Sequence, residues 1–395
     1  PAGLFDSCPL VETFYNVFKG CTSLTSIPSG LFDKNINVTD LEGVFSGCVN
    51  LESIPAGLFN CCTKAEKFRS TFRDCPKIEF IPIDLFKYNT LVTDFYYCFA
   101  SDVSIKEIPA DLFKYNTEVI DFTNCFGNCQ SNSVIPPGLF DTNIKAEIFL
   151  GCFSYNRPIT SIPANLFDKN ILATDFTNCF FGCSNITSIP DGLFKYNTLA
   201  RSFEGCFRNC VSLTNIPADL FSNNTQVISF LGCFLTCTGL TSIPTGLFDS
   251  NTLVTTFEAC FQNCTSITAI PVGLFDTHVL ATSFKLCFSG SRKLRSVPEG
   301  LFDKNVNVTN FESCFENSVI PYFSSKLTRV DANMFSLCSD LALLQINNTN
   351  VVQMTNTSAL QGTTASLQIK VPESLVELYK SATNWNRFGS QISAI

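Results

Sequence analysis

A single histidine in 395 residues is the first absence that matters. Zinc sites commonly set opposed C-x2-4-C pairs against one another, often with His, and C-F-x-x-C strung along one chain beside one His does not supply them. Basic excess is missing too: 26 Lys and Arg stand against 34 Asp and Glu, mixed throughout, for a net charge of -8. No basic stripe exists to follow a phosphate backbone, which excludes nucleic acid as a partner. No apolar run reaches the ~18 residues of a membrane span, so no transmembrane segment is expected. The mean hydropathy of +0.20 must come from regularly spaced positions. No linker or composition break divides the chain, although its length would ordinarily suggest more than one globular domain.

What fills the chain instead is repetition. "CTSLTSIPSGLFDKN", Cys21 to Asn35, returns as "CTGLTSIPTGLFDSN", Cys237 to Asn251, 216 residues later, which is eight periods of 27. Proline recurs at 1, 28, 55 and every 27 residues to 298, and a Leu-Phe pair follows each at a fixed distance, from Leu4-Phe5 to Leu301-Phe302. A period in this range marks a solenoid in which each unit buries its apolar face only by stacking on the next.

Twelve versions of each slot show which side chains face inward. The slot of Val11, Val38, Ala65 and Val92 holds only Val or Ala, as a tight internal layer requires. Thirty-five of the forty phenylalanines fall in three slots. Phe14, Phe18, Cys21 and Leu24 lie at helical spacing, as do Phe203, Cys206, Phe207 and Cys210 in "FEGCFRNC", so a short helix or helical turn is expected there. "SLTSIP" reads as a strand with Leu213 and Ile216 inward. Two residues after each proline stands Gly, Asp (Asp84, Asp111, Asp219) or Asn (Asn165), never Ser or Thr, which predicts a left-handed turn. Asn35, Asn89, Asn116, Asn143, Asn170, Asn197, Asn224, Asn251 and Asn305 share one slot, as in an asparagine ladder that pairs the backbone of neighbouring coils.

In "ATDFTNCFFGCSNITSIPDGLFKYN", Ala173 to Asn197, the slots resemble the BspA-like leucine-rich-repeat family of bacterial surface proteins. Its phrase is V-T-x-M-x-x-M-F-x-x-C-x-x-L-T-S-L. Phe176 and Cys179 stand for its two methionines, Phe180 and Cys183 match its Phe and Cys, and Ile186 and Ile189 match its paired leucines. The 27-residue period and the absence of L-x-x-L-x-L-x-x-N spacing are departures. "LQIKVPESLVELYKSATNW", Leu367 to Trp385, resembles the closing strand and helix of such proteins. The expected architecture is α/β: a single elongated leucine-rich-repeat-like solenoid of twelve 27-residue coils, short strands plus short helices or helical turns, with a C-terminal strand-helix cap. Residues 1–318 would form the array, 319–346 a degenerate repeat with Met334, Phe335 and Cys338, and 347–395 the cap, where Leu375, Leu378, Tyr379, Ala382 and Trp385 would cover the last coil. The opening "PAGLFDSCPL" begins in mid-repeat, so further sequence is expected upstream, where a signal or lipid anchor would lie.

The reactive residue types all have structural explanations. Equivalent cysteines in adjacent coils stand close enough for disulfides, yet nine successive coils, Cys98 to Cys314, carry the same Cys where earlier coils carry Val17, Val44 and Thr71. That pattern favours buried thiols acting as small hydrophobes. His278 occupies the asparagine slot and reads as a substitute rung, not as a catalytic base. Asp33 with Asn35, or Asp249 with Asn251, would suit calcium, but Lys87, Lys114 and Lys195 in the Asp slot argue against a repeated cation site. Sequons such as Asn37-Val38-Thr39 and Asn307-Val308-Thr309 recur with the period. No catalytic, cofactor-binding or metal-binding residue is assigned, and no cofactor is implied.

Function is then expected at the surface. An outward slot reads Thr25, Glu52, Glu79, Lys106, Ser133, Thr160, Thr187, Thr214, Thr241, Thr268 and Arg295: charged early, threonine-rich late. With the family resemblance, this implies a noncatalytic recognition or adhesion protein of the bacterial surface, or secreted, with a protein or glycan partner. The alternative is a structural or receptor-binding component of a larger particle, such as a phage tail appendage in a virion, made in a reducing cytosol where thiols persist.

Overall fold

The computed structural model describes residues 3–395; Pro1, the first member of the proline series, lies outside the described residues. The chain forms two compact units, Pro1–Ala200 and Arg201–Ile395. In the first, Thr13, Asp40, Lys67, Asp94, Asp121, Ile148 and Asp175 bridge one to the next in parallel, each step being 27 residues. In the second, Ser202, Ser229, Thr256, Ser283 and Asn310 do the same. Each unit is therefore wound as a leucine-rich-repeat solenoid whose coils are in register with the sequence period.

The three phenylalanine slots become three stacks. Phe86, Phe113 and Phe140 lie 6.3 and 6.2 Å apart, centroid to centroid, with nearly parallel rings. Phe99 and Phe126 stack at 5.7 Å, and Phe95 and Phe122 at 6.0 Å. In the second unit Phe257 and Phe284 stack at 5.6 Å, and Phe275 and Phe302 at 6.0 Å. Adjacent stacks interlock obliquely, as where Phe95 meets Phe113 at 4.7 Å. Each ring buried from water contributes roughly 1.5–3 kcal/mol, and each well-placed aromatic pair adds about 0.5–1.5 kcal/mol. Val38, Ala65, Val92 and their successors are buried beside them, as the slot restriction predicts.

The expected helix is not formed over Phe203 to Cys210: the segment is a chain of β-turns. Cys206, Arg208 and Cys210 donate their N–H groups to the carbonyls three residues back, at 3.1, 3.0 and 3.1 Å. The alternate N–H groups, of Gly205, Phe207 and Asn209, donate instead to Leu231, Cys233 and Leu235 in the next coil. An α-helix would bond each N–H past its first turn to the carbonyl four residues back; here alternate N–H groups join one coil to the next. The phenylalanines and cysteines still face inward, because a four-residue recurrence suits both geometries. Gly205 and Asn209 take φ of 58° and 60°, as the third residue of a type II turn requires.

The "SLTSIP" segments form isolated bridges, such as Ser26 to Ser53 and Ala269 to Ser296, and not extended strands. Leu213 and Ile216 do point inward. The turn after proline is left-handed only where glycine stands, as at Gly30 (φ 74°) and Gly246 (φ 77°). Asp84, Asp111, Asn165 and Asp219 are not left-handed. Around Asp84 the turn closes by Leu85 N–H to Pro82 O at 3.1 Å, the type I alternative that a residue with a Cβ adopts without strain.

Regular strands begin late in the second unit. β1 (Tyr322–Ser325), β3 (Leu343–Ile346), β5 (Gln368–Val371) and β6 (Ile392–Ala394) form a parallel sheet in the order β1-β3-β5-β6, and β2 (Arg329–Val330) pairs with β4 (Gln353–Met354). After β5 comes α1 (Val376–Ser381), the strand-then-helix order read from the sequence. Tyr379 and Trp385 are buried and meet edge to face at 5.2 Å. Their polar ends are used: Val352 N–H donates to Tyr379 Oη at 3.0 Å, and Trp385 Nε1 donates to Val352 O at 2.7 Å. Leu378, expected among the covering residues, is instead 55 % exposed, because a six-residue helix turns only one narrow face inward.

Candidate functional site

Cys62 is buried in the asparagine slot and Cys8 and Cys61 lie nearer the surface, while most of the cysteines occupy two interior columns. Cys98, Cys125 and Cys152 lie in one, fully buried. In the other, Cys75, Cys129 and Cys183 each point the thiol at the carbonyl of a phenylalanine 30 residues back, Phe45, Phe99 and Phe153, at 3.1, 3.3 and 3.1 Å. Cys237 and Cys264 do the same in the second unit, toward Phe207 and Phe234. Burial pushes the thiols up, to about 12 at Cys183 and Cys264 and well above the ordinary value at Cys98, Cys125 and Cys260. A thiol is a nucleophile only as thiolate, and burial in these columns disfavours that form.

The asparagine slot behaves as the ladder that its residues suggest. Asn143 Nδ2 donates to Phe113 O at 3.2 Å and to Asn116 O at 2.8 Å, and Asn116, Asn170 and Asn251 repeat both bonds in their own coils. His278 takes the same place: its Nε2 lies 3.2 Å from Phe248 O, it is fully buried, and Asn305 Nδ2 continues the ladder by donating to the His278 carbonyl at 2.9 Å. Burial among Phe248, Phe257 and Phe275 lowers the imidazole to about 4. It is a neutral rung, as its slot suggested. The Asp-x-Asn pairs do not converge, since Asp33 and Asp249 face solvent while Asn35 and Asn251 face the interior. Among the described residues no cluster of three metal-ligating side chains is formed.

The outward row from Thr25 to Arg295 is exposed along its length, as expected. Its early part differs in chemistry: Lys106 Nζ pairs with Glu79 at 2.6 Å and lies 5.3 Å from the centre of the Phe80 ring, which is 61 % exposed. In the threonine part, Thr241 Oγ1 turns back on the preceding coil to Thr214 O at 3.4 Å, and Thr214 Oγ1 donates to Asn215 Oδ1 at 3.4 Å.

The turn ribbon carries a feature that the sequence reading passed over. Two slots in every described coil are left-handed, and most hold Gly or Asn, as such a backbone prefers. At Tyr97 (φ 55°) and Tyr155 (φ 60°) they hold tyrosine. A bulky residue in that conformation costs of order 1–3 kcal/mol. The two tyrosines border a groove of about 410 Å³ whose floor is Ala100, Gly127 and Ser154 and whose polar groups come from Ser101, Asn124 and Asn128. Tyr97 is braced from the preceding coil by the Arg73 guanidinium, 4.9 Å from its ring centre, and by Tyr96 at 4.4 Å. Tyr155 is braced from the following coil by Phe181 at 4.5 Å. The signal in the sequence was tyrosine in a slot otherwise given to Gly, Asn, Ser or Asp in this unit.

No helix among the described residues is long and apolar enough to cross a membrane. Comparison with known proteins gives three kinds of result. No curated protein matches the sequence. Solved structures resembling the chain include a leucine-rich repeat protein from Bacteroides ovatus, 18 % identical with a TM-score of 0.46, covering 96 % of this chain and 86 % of that one. They also include the functional domain of InlJ from Listeria monocytogenes, described as containing a cysteine ladder, at 12 % identity and TM-score 0.37 over 88 % of this chain and 73 % of that one. A leucine-rich repeat protein of Leptospira interrogans aligns at 9 % identity and TM-score 0.36 over 98 % and 97 %. The sequence model of the BspA type leucine rich repeat region matches six copies, at residues 176–295 and 284–387, more than half of the chain. With its 27-residue coils, its inward Phe, Cys and Ile slots and that match, the chain belongs to the BspA-type leucine-rich repeat family.

Proposed function

We propose that the chain is a noncatalytic recognition or adhesion protein, displayed at a bacterial surface, whose solenoid coils present their outer residues to a protein or glycan. One observation carries this reading: inward slots keep their chemistry from coil to coil while the outward row changes its chemistry through the early coils. Phe99, Phe126 and Phe153 are the same buried rung three times over, whereas Glu79, Lys106, Ser133 and Thr160 are four different exposed groups in one row. Such a pattern separates a scaffold that must stack from a surface free to acquire contacts. The buried, hydrogen-bonded state of His278 and the raised thiols support a protein that works by binding. The family's surface proteins support the location.

The test is direct. The purified chain, immobilised, is probed with extracellular matrix proteins and with a printed glycan array. Saturable binding to one class, lost on unfolding, is the expected result. Turnover of a substrate that disappears in His278→Ala would overturn the reading.

A further inference from the structure

We infer that the groove between Tyr97 and Tyr155 is a binding site for a short neutral oligosaccharide. This deepens the proposed function and rests on it. The two tyrosines stand two coils apart, roughly 10 Å along the stacking direction at the usual strand spacing. Between them the lining is small and buried, at Ala100, Gly127 and Ser154, and the two rings border it. A sugar ring offers a C–H face that packs on aromatic carbon and a rim of hydroxyls that both donate and accept hydrogen bonds. Aromatic walls with a few placed polar groups are what such a ligand needs.

The polar groups are of the right kind and have capacity to spare. Ser154 Oγ donates to Asn124 Oδ1 at 3.1 Å, which fixes that amide and directs its Nδ2 donors elsewhere. Gln130 Nε2 likewise fixes Asn128 by donating to its Oδ1 at 2.6 Å, and Asn128 Nδ2 reaches Ser101 Oγ at 3.5 Å, leaving its second N–H for a ligand. Planar amides held in place read hydroxyl pairs well, since oxygen and nitrogen present an acceptor and donors at fixed angles. No charged side chain lines the groove. Arg73, which lies against Tyr97, is itself paired with Asp74 at 3.2 Å. A sialylated or sulfated glycan would meet no positive charge among the lining residues, so neutrality follows from the lining.

The backbone also fixes both rings. Positions 97 and 155 take φ of 55° and 60°, a left-handed conformation that the stacked turns impose on Leu286 and Thr236 in the same slots of the second unit. Bracing by Arg73 on one side and Phe181 on the other holds both rings before any ligand arrives.

The experiment uses the full chain and the variants Tyr97→Gly and Tyr155→Gly on an array of neutral oligosaccharides built from glucose, galactose, mannose and N-acetylglucosamine, with sialylated and sulfated counterparts. Expected are wild-type binding to a neutral subset and at least a tenfold loss of affinity in each variant. The melting temperature should rise in both variants, because glycine relieves the left-handed strain. Tyrosines serving only to pack would instead lower it. Neutral-glycan binding that survives both substitutions would overturn the groove while leaving the recognition function intact. Preference for acidic glycans, or binding to matrix proteins without any glycan binding, would do the same. Binding to neither class would overturn both.

Discussion

The backbone N–H of Cys75 donates to Oδ1 of Asp102 at 2.7 Å, and that carboxyl group has no solvent exposure. Two coils on, Cys129 N–H makes the same bond to Oδ1 of Asn156, whose Nδ2 then donates to Phe126 O at 2.8 Å. Asp102 is thus the acidic counterpart of an amide rung. Its other oxygen is buried without a hydrogen-bond partner, a place that favours the neutral, protonated carboxyl. Asp74, Cys75, Cys98 and Cys129 are the titratable groups around it, and none carries positive charge. Burial, with Asp74 adding to it, raises the carboxyl well above the usual range, against the opposing Cys75 hydrogen bond. The folded chain keeps a proton that the unfolded chain releases above about pH 3.9. The resulting stability is full below that value and is lost as pH rises toward the folded pKa. Asp102→Asn should therefore stabilise the first unit at pH 7 by about 1–3 kcal/mol and flatten its dependence on pH. Denaturant midpoints at pH 4 and pH 7 check this.

His278 should act with the opposite sign in the second unit. Its folded pKa of about 4 lies below the unfolded value, so the unfolded chain takes up a proton first as pH falls. The stability from keeping it neutral is present above about pH 6.5 and is lost as pH falls toward 4, roughly 3 kcal/mol in all. His278→Asn restores the common rung and should remove this acid sensitivity. A pH series of unfolding midpoints for both proteins, read between pH 7 and pH 4, measures the difference.

Breaking one rung of the asparagine ladder should cost more than its exposed neighbours suggest. Asn143→Ala removes both bonds of the amide and leaves the buried Phe113 and Asn116 carbonyls with only their turn donors, Asn116 N–H at 3.0 Å and Val119 N–H at 3.4 Å. A loss of about 2–3 kcal/mol is expected. Asn143→His should lose less, since His278 shows that the slot accepts imidazole. Amide hydrogen exchange around Asn143 would localise the effect.

The cysteine columns predict a two-stage thiol count. Native protein should react with an aromatic disulfide reagent fast at Cys8, which is exposed, and more slowly at the half-buried Cys21 and Cys61. The interior columns should stay silent until denaturant is added, when the count should reach 21 without reductant. A lower final count would mean that adjacent rungs are joined as disulfides.

Much of this architecture was legible in the residues themselves. Phe113, Asn143 and Cys183 sit where their slots require, because a stacked interior demands the same side chain from every coil. The backbone path was less so. A recurrence such as Phe203, Cys206, Phe207 and Cys210 fits a helix and a chain of β-turns equally well. What decides is where alternate N–H groups go, and half go to a coil 26 residues away in sequence, beyond any local pattern. Gly205 and Asn209 carried the missing signal, both being poor helix residues suited to positive φ. Asp84 misled in the other direction, since the same tight turn closes as type I without a left-handed residue. The groove was not legible, because the left-handed backbone at Tyr97 and Tyr155 is set by the stacking of the turns and leaves no local sequence pattern beyond tyrosine in a slot of small or polar residues.

The central claim is that coils stack in a register fixed by the 27-residue period, so that a whole coil is the natural unit of change. Deleting residues 121–147 removes one full period and brings Ile148 against Asp94 in the bridge column now held by Asp121. A companion deletion one residue shorter displaces every later slot in the unit. The unfolding midpoints of both, with near-ultraviolet circular dichroism to report ring packing, form the measurement. The full-period deletion should unfold cooperatively close to the parent with its aromatic signal retained, and the shorter deletion should lose both; equal behaviour of the two would contradict the account.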